Sequence, residues 1–204
     1  MVKKVLWILV AVLSVVVGLY PALFFLGEKK VGILKIKPNE LFLNPFWHFS
    51  FYVHIIFGGL ALLIGWIQFS AKIRSKHMAF HRQMGKLYIM TVLLSALTGF
   101  YIAFYATGGL RVALGFMSLS FVWLYTTLTA YTSIRKSQVV RHREMTMYSY
   151  ACCFAAVTLR LWMPFLHAVF GNFATAYMVA AWWSWLPNLV IAWFLNRKST
   201  LAIP

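Results

Sequence analysis

HREMTMYSYACCFAAVTLRLWMPFLH, from His142 to His167, is the stretch whose reading decides the fold. Beyond Glu144 it holds no acid, and its one permanent charge past that point is Arg160, set among Leu, Trp, Met, Phe and Val side chains. A helix on the surface of a soluble protein keeps a charged face along its whole length. Here the charges collect at the start and the remainder is apolar nearly all round. About 20 such residues suffice to cross the hydrocarbon core of a bilayer, so the stretch reads as a membrane span and Arg160 as a cation inside it.

The rest of the chain supports that reading. Of 204 residues, 62% are hydrophobic and 11% charged, and mean hydropathy is +0.78; soluble domains carry roughly a quarter charged residues. Nineteen Lys and Arg face three acids, Glu28, Glu40 and Glu144, for a net charge of +16. In a soluble protein that imbalance would suggest nucleic acid as a partner. Here the bases lie between apolar runs and not on one solvated face, so no nucleic-acid role is expected and the charge is assigned to orienting the spans. Cys152 and Cys153 are adjacent in an apolar run, which makes neither a CxxC motif nor a disulfide framework. Lys3 and Lys4 precede an apolar run from Val5 to Leu26 that is longer than a signal-peptide core of about 7–15 residues, so it reads as a retained first span.

Six stretches are long and apolar enough to cross: 5–26, 46–69, 85–106, 112–134, 145–170 and 173–195. The expectation is an all-α, polytopic membrane bundle with six transmembrane helices, one integral membrane domain over residues 1–204. Lys3, Lys4, Lys72, Arg74, Lys76, Arg82, Lys86, Arg135, Lys136, Arg141, Arg143, Arg197 and Lys198 alternate onto one side. Lys29, Lys30, Lys35, Lys37 and Arg111 fall on the other. The excess marks the first side as cytoplasmic and places both termini there.

Polar and small residues recur at helical spacing. In the fifth span His142, Met145, Ser149, Cys153, Ala156, Arg160, Met163 and His167 follow steps of three and four, which puts them on one face. His54, Gly58, Ala61, Gly65 and Gln68 do so in the second span, and His81, Gly85, Tyr88, Ser95 and Gly99 in the third. Small and polar residues favour helix contacts over lipid, so these three faces are expected to meet inside the bundle. Three histidines have a glycine four residues on, His54–Gly58, His81–Gly85 and His167–Gly171. Such a glycine either lets helix backbones approach or leaves room for a flat ligand on the imidazole.

Arg160 has two readings. A charge at this depth costs at least about 2.5–3.5 kcal/mol on insertion scales, and arginine does not deprotonate. Either it bonds to backbone carbonyls or snorkels outward, or an anion from outside the chain, a haem propionate or an acidic headgroup, pairs with it. His54, below the interface, is a candidate cofactor ligand or a structural hydrogen-bond donor; His81 and His142 lie nearer the inner surface, where headgroup contact competes with ligation. His77 and His81 are four apart, a spacing two imidazoles can use toward one metal, but no carboxylate or thiolate stands near. Trp182, Trp183 and Trp185 either line a cofactor pocket or pack and anchor at the interface. No Ser-His-Asp set, carboxylate pair, P-loop or dinucleotide fingerprint is present. No catalytic residue is assigned.

The strings HIIFGGLALLIGWIQF, HRQMGKLY and RHREMTMYSYACCFAAVTLRLWMP together resemble the bacterial family of predicted membrane proteins called domain-of-unknown-function family 2306, over residues 50–165. The resemblance implies a multi-span protein of the bacterial inner membrane, with His54, His81, His142 and Arg160 at the family's motif positions; Tyr148 stands where relatives often carry a second arginine. In architecture, histidines near both surfaces of a small helical bundle are similar to the di-haem cytochrome b reductases. That likeness implies haem b held by His54, and by His81 with His142, as iron ligands. Gly58, Gly85 and His167 would lie alongside, with Arg160 on a propionate and a quinol or small reductant as electron donor. The alternative is a binding protein or transporter for an acidic amphiphile or small anion held by Arg160, in contact with membrane lipids.

Overall fold

The computed structural model of the chain describes residues 2–26, 34 and 37–200, with side chains from 5 to 197 within those ranges. Glu28, Lys29, Lys30 and Lys35 lie outside the described residues, as do the side chains of Lys3, Lys4 and Lys198. The described residues are helical, with short 3-10 turns and no strand. Six helical segments are long and apolar enough to span a membrane: Val5–Leu26, Pro45–Phe69, Met78–Ala103, Leu110–Arg135, Val139–Phe170 and Phe173–Arg197. The third starts seven residues before the expected 85, and the fifth six before 145, because hydropathy registers only the turns in hydrocarbon. Backbone hydrogen bonding carries a helix on through polar turns such as HRQMGK. By contacts the chain divides into two compact units, Met1–Ile102 and Ala103–Pro204.

In the first unit, α1 (Val2–Leu19) passes through a 3-10 turn at Tyr20–Ala22, where Pro21 sits, into the single turn α2 (Leu23–Leu26). After α3 (Asn39–Leu43), α4 (Pro45–Gly65) begins under a side-chain cap. Asn44 Oδ1 accepts from the Phe46 and Trp47 N–H groups at 3.0 and 3.1 Å, and Pro45 takes the first helical position, where no N–H is needed. The N-terminal end of α4 is stapled by rings: Trp47, 2% exposed, stacks on Phe51 at 5.4 Å, and Phe24, Phe42 and Tyr101 close around them. Outside the spans, burial holds the Lys37 ammonium below the usual lysine range. A 3-10 turn, Trp66–Phe69, leads to α5 (Ala71–Lys76), capped by Ser70, and then to α6 (Met78–Ala103).

The second unit holds α7 (Leu110–Arg135), α8 (Val139–Cys153), α9 (Ala155–Phe170), α10 (Phe173–Trp183) and α11 (Leu186–Thr200). Its fifth and sixth spans are thus each made of two helices. α7 and α8 are joined by a buried hydroxyl pair, Thr127 Oγ1 and Ser149 Oγ at 2.6 Å. α9 and α10 pack through Leu166, Ala176 and Ala180. Asn172 caps α10, accepting from the Ala174 and Thr175 N–H groups.

α1 and α4 touch at backbone distance. A Cβ on Gly59 would lie 2.6 Å from Gly18 O, and one on Gly18 would lie 3.0 Å from Gly59 O. Packing without a hydrophobic drive, as in lipid, depends on such approach. Gly59→Ala should therefore force the helices apart and cost about 1–3 kcal/mol in detergent unfolding. Gly85→Ala, whose Cβ would meet only the Gln68 amide at 3.4 Å, should cost little.

Candidate functional site

The faces expected in the second and third spans are largely buried, and they meet where His54 and Gly58 of α4 approach Ser95 of α6 and where Gln68, in the turn after α4, approaches Gly85. Ala61 and Ser95 are 0% exposed, Tyr88 4% and Gln68 8%. At their centre His54 Nδ1 lies 2.9 Å from Ser95 O and 3.2 Å from Ser95 Oγ, while Ser95 Oγ–H donates to His54 O at 3.0 Å. A backbone carbonyl can only accept, so Nδ1 carries the proton and the lone pair sits on Nε2. His142, half-buried at the first turns of α8, repeats this arrangement on another helix pair, with Nδ1 at 2.9 Å from Ala130 O of α7. A second bond that orients the ring and fixes its tautomer is what metal-binding imidazoles characteristically have.

The glycines beside the histidines have separate packing reasons. A Cβ on Gly58 would meet Ser95 Oγ at 3.0 Å, so this glycine makes room for the serine that holds His54. Gly85 faces the Gln68 amide, and Gly171 ends α9 in the left-handed region at φ +62°, its N–H bonded to His167 O. His81 is half-buried near the start of α6, whereas His48, His77 and His167 are exposed.

The fifth span corrects the sequence reading. Ser149 is 0% and Cys153 3% exposed, but Arg160 and His167, on the same projected face, are exposed. The projection assumed one straight helix; α8 ends at Cys153 and α9 starts at Ala155, with Phe154 between them at ψ −11° and Val157 N–H reaching back only three residues to Phe154 O. That tighter turn changes the phase of the residues that follow. Arg160 Nη1 donates to Ala156 O at 2.7 Å, one turn back on its own helix. Of the tryptophans, Trp182 donates to Arg111 O and Trp185 to Ala181 O, while Trp183 is 49% exposed, as packing and anchoring require.

A second polar centre was not expected from the sequence. The sixth span breaks at Ser184 and Trp185 because Pro187, in the first turn of α11, has no N–H to continue the ladder. Asn188 fills the gap: its Nδ2 group donates to Ser184 O at 2.9 Å, to Thr158 Oγ1 at 3.1 Å and, across to the other broken span, to Ala151 O at 3.2 Å. The Thr158 hydroxyl also donates to Ser184 O. The two interruptions thus share one amide. The available sequence signal was the Pro187–Asn188 pair inside an apolar run, since a proline there obliges a nearby side chain to satisfy the freed carbonyls.

No group of three or more His, Cys, Asp or Glu side chains that could hold a metal occurs among the described residues. The fold and its polar centres define a multi-span helical membrane protein. Residues 51–196 match the model of the family described as Predicted membrane protein (DUF2306), and the chain belongs to that family as an integral membrane protein. No curated protein and no solved structure matches the chain.

Asn188→Leu should cost about 1–3 kcal/mol in unfolding, because Ala151 O and Thr158 Oγ1 lose the amide as donor away from water while Ser184 O keeps only the Thr158 hydroxyl. Hydrogen exchange should accelerate around residues 154–158 and 184–188 and leave α7 unchanged; uniform acceleration would show that Asn188 does not hold the breaks in particular.

Proposed function

We propose that the chain is a haem b-binding electron-transfer protein of the bacterial inner membrane, with both termini cytoplasmic. The observation that carries this reading is the pair of imidazoles, His54 and His142, whose Nδ1–H groups are each bound to a backbone carbonyl at 2.9 Å, the kind of orienting bond that metal-ligating imidazoles use. A site built from protein ligands alone needs three or more donors, which the described residues do not assemble. A porphyrin supplies four of the iron's ligands itself, so one or two imidazoles are enough. Haem would bring one-electron chemistry. In the first unit the chain's part is to present His54, its tautomer held through Ser95, with His81 near the start of α6; in the second it is to present His142, held through Ala130, and to offer Arg160 to a propionate. A quinol or small reductant would supply electrons.

Haem-replete expression should give protein with a Soret band and dithionite-sensitive α and β bands. His54→Ala and His142→Ala should each remove a separate spectral component while leaving the other. Protein purified free of porphyrin under those conditions would overturn the reading.

A second reading, an acidic-amphiphile binder or transporter, is favoured by the exposure of Arg160 between the exposed Leu161 and Phe165. Ten residues before the end of α9, about 15 Å by helical rise, its guanidinium lies where a carboxylate headgroup can be drawn in from the membrane. Stabilisation by a long-chain fatty acid should then vanish in Arg160→Gln; equal stabilisation of both proteins would remove this reading.

A further inference from the structure

We infer that the α7–α8 turn of the second unit is a binding site for the headgroup of an anionic glycerophospholipid. An open depression lies there, lined by Ser137, Val139, Val140, Arg141 and Glu144 among others. Arg135 and Lys136, the two residues before Ser137, are exposed, as is Arg141. Arg141 and the half-buried Glu144 both line the depression, and with Arg135 and Lys136 just before it in the chain the turn carries three cations against one carboxylate. Ser137, at φ +58°, makes the turn between the end of α7 and the start of α8 on which these charges are carried.

The depression is also partly apolar. Val139 and Val140 are 46% and 49% exposed at the first turn of α8. Two spans, Leu110–Arg135 and Val139–Phe170, end at this turn, which places it at the boundary between hydrocarbon and headgroups. Cations beside exposed valines at that depth suit a ligand with a phosphodiester anion and acyl chains continuing into the bilayer, the chemistry by which basic pockets at helix ends hold acidic lipids. Inorganic phosphate would meet the cations but leave the valines uncovered. His142 takes no part, because its ring is turned to Ala130 O on α7. The site is separate from Arg160 and does not depend on the presence of haem.

The test uses the full chain in a neutral detergent, titrated with phosphatidylglycerol, phosphatidylcholine or inorganic phosphate and read by thermal unfolding and native mass spectrometry. Phosphatidylglycerol should stabilise the protein and remain bound as discrete adducts; the other two should not. Removing Arg135, Lys136 and Arg141 together as glutamines should weaken phosphatidylglycerol binding on the order of 100-fold, at about fivefold for each basic side chain. Lys72, Arg74 and Lys76 changed to glutamine lower the net charge equally and should leave binding unchanged, as should Arg160→Gln. Glu144→Gln should tighten it several-fold. Equal losses in the two triple variants would mean diffuse attraction and overturn the site, and loss in Arg160→Gln would transfer the lipid to α9. Should the first triple variant fail to fold, Glu144→Gln decides: binding that does not tighten overturns the inference.

Discussion

Inside a bilayer no water is available to a backbone N–H or C=O, and each such group must be satisfied by the chain itself. Nearly every feature of this protein answers to that constraint. It explains why the described residues are helices, and why Thr98, Thr126, Thr127 and Thr146 turn their hydroxyls onto carbonyls four residues back in their own helices. It also explains Asn188. Where the fifth and sixth spans are interrupted, the carbonyls at the breaks take their donor from one amide that reaches both. Charge follows the same logic, since Arg160, the cation farthest inside a span, donates to a carbonyl of its own helix.

The same constraint shapes the histidines. An imidazole away from water needs a partner for its N–H, and Ser95 O and Ala130 O provide one for His54 and His142. Satisfying the donor fixes the tautomer, which in turn sets the basic nitrogen on the far side of the ring.

Much of this architecture was legible in the sequence, for identifiable reasons. Apolar runs of sufficient length can be satisfied in hydrocarbon only as helices, so the six spans follow from composition and length alone. The small-residue faces of α4 and α6 were also legible, because steps of three and four along one unbroken helix hold their phase. The tertiary structure decided what lies beyond a single helix's periodicity. The turn at Phe154 exposes Arg160 and separates it from the buried Ser149 and Cys153, and no repeat pattern registers a change of phase that a neighbouring span stabilises. The partners of His54 and His142 are main-chain carbonyls, which every residue carries, and only the packing of one helix on another selects which carbonyl a ring meets.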